Sequence, residues 1–461
     1  MSGIKETESG KLSKGVIRET IGTCSLCSKK VRANIVESGG KILMHKYCPE
    51  HGCTSVVISN HPWYYKVLTD FYFSVMPKAM KQSRFYIYLS NRCNLDCPIC
   101  LLEPNQKHVP DISLERFEKT LKKQKQSRFY LYGAEPTLRD DIEDWIRLLK
   151  RYGNTVNMHT NGIKLADLEF LRKIKSCGID YISLQFDGFS DDVYMKLRNR
   201  KLVELKLQVL NNLRKLNIPT GLNVTIAKGV NEEQIPLIID YAAANNFIKD
   251  VSFATVSFIG NANSNFHADS LLMPDELIDI VELYTEGKIS RKNVYFFQKL
   301  YYALLSALKI RRCYNFQQLA LVRDKGCGYI SFDELFRLDS LEKKLDIYRK
   351  LLNTGNKLAV PYLFYILGLN MFGKNVLAKL KCIPFGMFLP GNVLNIRIPS
   401  RILLLSFGTV CDFYKFDSQI SKYCGQGVCL EDKGDIVLTD TVSDLTLFYK
   451  KETTDENRFC Q

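Results

Sequence analysis

Asn91-Arg92-Cys93-Asn94-Leu95-Asp96-Cys97-Pro98-Ile99-Cys100 follows directly on the apolar run Phe85-Tyr86-Ile87-Tyr88-Leu89 and sets three cysteines at spacings of three and two residues. Three thiolates on one short loop can hold three irons of a cubane cluster. Clusters of the [4Fe–4S] type normally take four cysteine ligands, so a loop that supplies three leaves one iron for another ligand. That iron is where chemistry can happen.

Outward from this loop, apolar runs of strand length alternate with helical stretches, the pattern of a parallel sheet under covering helices. The strand candidates are Phe85–Leu89, Phe129–Tyr132, Thr155–His159, Tyr181–Phe186, Thr220–Ile226 and Asp250–Val256, with helices at Leu114–Lys123, Ile142–Tyr152, Leu165–Ser176 and Val203–Leu216 between them. In a parallel barrel the reacting groups collect at the C-terminal ends of the strands, which is where the cysteine loop falls.

The cysteine spacing resembles the signature of radical S-adenosylmethionine (SAM) enzymes, and the resemblance covers roughly residues 85–260. It implies an α/β fold, a partial (β/α)6 TIM-type barrel, in which SAM chelates the open iron of a [4Fe–4S] cluster. One electron then splits the sulfonium to a 5′-deoxyadenosyl radical, the cofactor carrying the hard chemistry while the protein orients it. An electron donor such as ferredoxin or flavodoxin is implied as a partner beside SAM.

Further phrases carry the resemblance along the strand ends. Tyr132-Gly133-Ala134-Glu135-Pro136-Thr137 resembles the Gly-Gly-Glu-Pro motif that receives the SAM amino group, with Glu135 the first candidate acceptor for that ammonium. Met158-His159-Thr160-Asn161-Gly162 is similar to the family's Thr-Asn-Gly element; Thr160 and Asn161 face the cofactor on that reading, or form an ordinary polar turn on the other. His159 reads as a strand residue. Alternation puts Ser183, Gln185 and Asp187 on one strand face. The resemblance assigns them to SAM ribose and carboxylate contacts, matches Arg198 to the arginine paired with the SAM carboxylate, and sets Asn223 and Val224 beside the adenine.

Toward the N-terminus, Cys24-Ser-Leu-Cys27 and Cys48-Pro-Glu-His51-Gly-Cys53 have the spacing by which a small segment closes a tetrahedral metal site. His51 and Cys53 compete as the fourth ligand, and zinc and a single iron both suit such a shell. The phrase Lys46-Tyr-Cys48-Pro-Glu-His51-Gly52, together with Ser257-Phe-Ile-Gly260-Asn261 after the sixth strand, narrows the resemblance. Both phrases point to the archaeal tetraether lipid synthase group, long labelled as pterin methyltransferases.

The expected organisation is a tail over 1–19, a metal knuckle over 20–60, a linker or docking helix over 61–84, the core barrel over 85–270 and a mainly helical covering region over 271–461. Cys411, Cys424, Cys429 and Cys460 are candidates for an auxiliary iron–sulfur cluster, which tetraether-type relatives carry in this part. Leu438 stands where those relatives have a cysteine, and inert buried thiols are the favoured reading. Cys177, Cys313, Cys327 and Cys382 read as core residues. The charge-free run Leu358–Gly373 is sixteen residues long, short of the roughly twenty a spanning helix needs. A buried helix pair over the open side of the barrel is expected there, with a membrane-surface contact or a lipid-tunnel wall as the alternatives.

The 461 residues carry 64 basic and 49 acidic side chains, a net charge of +15 that favours anionic partners. No dense basic block marks a nucleic-acid arm, so none is expected as a partner. Fifteen cysteines, several at metal-ligand spacings, fit a reducing compartment. Met1-Ser-Gly-Ile-Lys-Glu-Thr7 lacks the apolar core of a signal peptide, and the expected location is the cytoplasm, with peripheral membrane contact as an option. The resulting expectation is a radical SAM enzyme that abstracts hydrogen from an unactivated carbon, a lipid chain being one candidate with carbon–carbon coupling or methylation as outcomes. A maturase of a peptide or small cofactor precursor, and a non-catalytic metal-binding protein, are the alternatives.

Overall fold

The computed structural model describes residues 15–77, 84–102, 104–105, 111–122, 127–265, 272–324, 328–372, 375–382, 399–412, 414–424, 427–432 and 435–439. Four strands, β1 (Val16–Thr23), β2 (Lys30–Ser38), β3 (Lys41–Cys48) and β4 (Gly52–Ser59), pair in order as an antiparallel meander. The first strand begins inside the stretch expected to be a tail. Its anchors are remote: Thr20 Oγ1 donates to Asp417 Oδ1 at 2.7 Å across 397 residues, and Arg18 pairs with the same carboxylate. Local polarity alone therefore reads as tail what a distant partner orders.

The alternation around the cysteine loop builds six parallel strands, β5 (Arg84–Tyr88), β6 (Arg128–Tyr132), β7 (Thr155–Thr160), β8 (Tyr181–Gln185), β9 (Thr220–Ile226) and β10 (Ile248–Thr255). No strand end lies more than two residues from its expected place. The helix expected over Leu165–Ser176 is divided into a 3-10 turn, Ile163–Ala166, and an α-helix, Leu168–Ser176, because the Asp167 side chain caps the amides of Glu169 and Phe170.

The C-terminal third is helical over much of 274–380 but also supplies β11 (Phe316–Asp324), β12 (Gly328–Ser331), β13 (Ile402–Thr409), β14 (Gly427–Asp432) and β15 (Asp435–Thr439). Strand β13 lies parallel beside β10 and β14 parallel beside β5, so the partial barrel is prolonged on both sides. The sheet runs β12-β11-β13-β10-β9-β8-β7-β6-β5-β14-β15. Among the described residues β12 and β15 do not pair, and the sheet stays open.

Strand alternation divides this sheet cleanly. Phe85, Ile87, Phe129, Leu131, Val156, Met158, Ile182, Leu184, Leu222, Val224, Val251 and Phe253 join the helices in one apolar core. The opposite face carries Tyr86, Tyr130, Tyr132, His159, Gln185, Asn223 and Ser252, all half-buried. A parallel sheet normally buries both faces in apolar side chains, so a polar inner face marks a chamber.

The helix Pro62–Val75 packs on the helix Arg291–Ala307, and the Tyr72 hydroxyl donates to the Arg312 carbonyl at 2.7 Å. The expectation of a buried helix pair at 358–373 is corrected. The helix Ala359–Met371 buries only Ala359, Leu363 and Ile366, packs on Glu342–Asn353, and leaves Tyr365 61% and Phe372 74% exposed. Among the described residues no helix is long and apolar enough to cross a membrane.

Candidate active site and metal knuckle

Cys93, Cys97 and Cys100 lie together with Leu95, Tyr194 and Leu202 at the C-terminal end of β5. Two turns from other strands hold this loop. The Ala134 and Glu135 amides donate to the Ser90 and Arg92 carbonyls at 2.9 and 3.0 Å, and Gly133 lets the chains approach that closely. With φ of 139°, a Cβ there would stand 2.7 Å from the Ser90 carbonyl oxygen. From beyond β10, Gly260 touches the same loop, its φ of 61° and the 2.6 Å that would separate a Cβ from the Leu101 carbonyl again requiring glycine. Asn261 Nδ2 donates to the Cys97 carbonyl at 3.3 Å.

Glu135 is fully buried and its carboxylate is engaged by the protein itself. Oε1 accepts from Thr137 N, Thr137 Oγ1 and Thr160 Oγ1 at 3.1, 2.6 and 2.7 Å, and Oε2 accepts from Asn161 N at 2.7 Å. These donors tie the carboxylate across both turns, and Oε2, with one donor, retains acceptor capacity. Thr160 likewise points at Glu135. Asn161 reaches the cysteines, with Nδ2 3.9 Å from Cys93 Sγ and 2.8 Å from Asn94 Oδ1.

A fully buried lysine that the sequence reading missed continues this network. Lys206 Nζ donates to Asn161 O, Gln185 O and Gln185 Oε1 at 2.6, 2.7 and 2.6 Å, and burial pushes its pKa down to about 7. Gln185 in turn donates to Asp187. Asp187 accepts from Arg198 Nε and Nη2 and from Thr225 N. Burial would lower the Arg198 pKa, but Asp187 and Cys97 raise it above its ordinary value. Gln185, Asp187 and Arg198 thus hold one another in a buried network beside the cysteine loop.

Deeper in the chamber, Asn223 Nδ2 donates to Ser183 Oγ at 2.7 Å and to His159 Nδ1 at 3.1 Å. His159 therefore faces the chamber, and burial pushes its pKa down to about 4. Val224 does not share that face: its side chain is 1% exposed in the outer core, as strand alternation demands of the neighbour of Asn223. Thr225 takes the inward position.

Donor chemistry fits a cluster at the loop. Burial pushes the Cys93 and Cys100 thiols up to about 11 and about 12, so their thiolates need a cationic partner. Among the described residues the only compact single-ion group is Cys24, Cys27, Cys48 and His51, whose ligand atoms all lie within 4.8 Å of one another. Cys27 Sγ stands 3.8 Å from Cys48 Sγ, and His51 Nδ1 stands 3.8 and 3.4 Å from Cys24 and Cys48 Sγ. Ligands about 2.3 Å from a tetrahedral ion stand roughly 3.8 Å apart, so the residues fit one. Cys53 is excluded. It pairs with exposed Tyr47 across the hairpin, while Cys48 pairs with Gly52, so Cys53 points to the opposite face.

Of the auxiliary candidates, Cys411 and Cys424 come close to Cys313, which the sequence reading had left in the core. Burial first, then Cys411 and Cys424, push the Cys313 thiol well above its ordinary value. Cys429 lies apart, its thiol raised by burial alone, and Cys460 and Cys327 lie outside the described residues.

Residues 87–242 match the family model for the Radical SAM superfamily, and residues 16–60 match that for the HMPTM N-terminal zinc ribbon domain. The 7,8-dihydro-6-hydroxymethylpterin dimethyltransferase of Methanocaldococcus jannaschii is 29% identical over 362 residues, 72% of this chain and 71% of that protein. A probable GTP 3′,8-cyclase of Pyrococcus horikoshii is 28% identical over 165 residues, 35% of this chain and 53% of that one. The crystal structure of Streptococcus suis SuiB bound to S-adenosylmethionine is similar with a TM-score of 0.38 and 17% identity, over 44% of this chain and 47% of that one. The chain thus spans about half the length of the cyclase and of SuiB. The group resemblance drawn from the two outlying phrases agrees with both the ribbon and the pterin dimethyltransferase. A [4Fe–4S] cluster and SAM are the cofactors of the barrel, and the knuckle is a metal site. The chain therefore joins an N-terminal zinc ribbon domain, residues 16–60, to a radical SAM domain, residues 87–242.

Proposed function

We propose that the enzyme acts on a small polar substrate held in the barrel chamber, by hydrogen abstraction or methyl transfer. Cys93, Cys97 and Cys100 would hold the cluster, and when bound the cluster supplies the electron that splits SAM. The protein orients these groups through Glu135, Asn161, Lys206 and the Asp187–Arg198 pair, with Ser183, His159 and Asn223 turned toward the substrate. The observation that carries this reading is the hydrogen-bond chain from Cys93 through Asn161 and Lys206 to Asp187, which ties the cysteine loop to the ends of β7 and β8.

The chamber walls favour a polar substrate over an acyl chain. Asn157 Oδ1 and His159 Nε2 are buried without a hydrogen-bond partner, and Tyr86 stacks on Tyr130 at 4.6 Å and 8°. Unpaired polar atoms are costly beside an alkyl chain and useful beside a hydrogen-bonding ring. The pterin dimethyltransferase relative adds a reaction class of the same kind. The test is anaerobic reconstitution with SAM and reductant: 5′-deoxyadenosine supports the radical reading, S-adenosylhomocysteine marks direct methyl transfer, and a loaded cluster that yields neither product supports a binding protein instead.

The same reading places one surface at a membrane. Leu358, Tyr365, Phe372 and Leu377 are each more than 60% exposed, and no acidic residue occurs between Lys357 and Arg401. A patch of this kind with lysines at its border suits an anionic lipid surface.

A further inference from the structure

Far from the cysteine loop, at the N-terminal end of the chamber, three guanidiniums converge. Arg84 opens β5 and Arg128 opens β6, and the register sets them side by side on the inner face with Tyr86 and Tyr130 beyond them. Arg312 approaches from the segment before β11, its Nε donating to the Tyr301 hydroxyl at 3.1 Å. All three act on Tyr130, whose phenol burial would raise but the arginines hold below its ordinary value. Among the described residues the carboxylate facing this group is Asp250, which is already bonded to the Tyr181 hydroxyl. Arg84 Nη1 is buried with no hydrogen-bond partner.

Such an arrangement is costly by itself. Like charges repel strongly away from water, and a buried donor left without an acceptor keeps its full desolvation cost. Burial and the neighbouring Arg312 and Arg128 accordingly push Arg84 down to about 10. An anion among the three relieves both penalties. A carboxylate is satisfied by one guanidinium fork, whereas a phosphate dianion offers oxygens to several.

We propose that this end of the chamber binds a phosphate group, with Arg84 and Arg312 as its donors and the Tyr130 hydroxyl beside it. The proposal rests on the reading that the chamber receives the substrate, and it assigns that substrate a phosphate at the end remote from the reacting carbon. The stacked Tyr86 and Tyr130 rings would then lie along the molecule between its two ends.

The test is calorimetric titration of the reconstituted full-length protein with inorganic phosphate and pyrophosphate, against chloride at matched ionic strength. A parallel titration with dioctanoyl phosphatidic acid distinguishes a soluble phosphate ester from a lipid headgroup. Saturable binding of any of these at one per chain, weakened at least tenfold in Arg84→Gln and Arg312→Gln, is the expected result. Absence of binding above chloride by the unsubstituted protein, or binding that survives both substitutions, overturns it. The first arm needs no variant, so a misfolded substitution leaves the test intact. Measuring 5′-deoxyadenosine on the same sample separates the two readings: SAM cleavage without phosphate binding removes only the anion site, and phosphate binding without cleavage removes only the radical one.

Discussion

Arg198 grips Asp187 at two points, Nε to Oδ2 at 2.7 Å and Nη2 to Oδ1 at 3.0 Å, with the carboxylate fully buried. Removing one partner of a buried pair strands the other, at a cost of about 3–5 kcal/mol. Arg198→Met is therefore expected to lower the melting midpoint sharply, and adding Asp187→Asn to recover part of the loss. An unchanged midpoint with abolished SAM binding would show instead that the arginine serves the SAM carboxylate.

The ribbon makes a cleaner comparison, because its two rival ligands differ in direction. Cys53→Ser is expected to retain one equivalent of metal per chain at the knuckle, whereas Cys48→Ser and His51→Ala lose it. Metal analysis of the purified variants decides, and loss of the metal from Cys53→Ser alone would reverse the assignment.

Glu135 joins the Gly-Ala-Glu-Pro turn to the Thr-Asn-Gly turn through charge-assisted bonds worth about 1.5–3 kcal/mol each. Glu135→Gln turns one oxygen into a donor facing other donors. It is expected to cost about 2–3 kcal/mol of stability and to reduce 5′-deoxyadenosine yield at least tenfold. A variant with normal yield would show that the turn holds without the carboxylate.

Acid should loosen the chamber through His159. Its native pKa of about 4 lies below the ordinary 6.5, so between those values the unfolded chain takes up a proton that the native protein refuses. The stabilisation is complete above about pH 6.5 and is lost as pH falls toward 4, by up to roughly 3 kcal/mol. Unfolding curves measured across that range check this, and His159→Gln is expected to flatten the dependence.

Sedimentation with vesicles tests the exposed helix. Binding to vesicles containing phosphatidylserine, weaker on neutral ones and lost in the Phe372→Glu, Leu377→Glu pair, is the expected pattern. Equal sedimentation of the pair would place the contact elsewhere.

Where local chemistry dictates structure, the sequence was a sufficient guide. Cys93, Cys97 and Cys100 share one loop by spacing, the six core strands follow from alternation, and Cys24, Cys27 and Cys48 declare the knuckle. What escaped needed contacts between distant segments. Nothing near Asp187 in the chain shows that Arg198 would be spent on it, and nothing near Cys313 points to Cys411. Two misses were readable: Val224 cannot share a strand face with Asn223, and Lys206 occupies the helix face of Val209, Leu210 and Leu213, where a lysine has no reason to be without a buried partner. The strands β13 and β14 were hidden because their register is set by β10 and β5, far away in sequence.

The bonds from Arg18 and Thr20 to Asp417 have a bearing on assembly. As the chain leaves the ribosome, the metal-binding meander can form early, from local pairings and its own ion. Its anchor at Asp417 is not made until that residue has emerged, after the six core strands. The contact across 397 residues must therefore close last, and closing so long a loop is slow by nature. A metal held by Cys24, Cys27, Cys48 and His51 would cross-link that early piece through the delay.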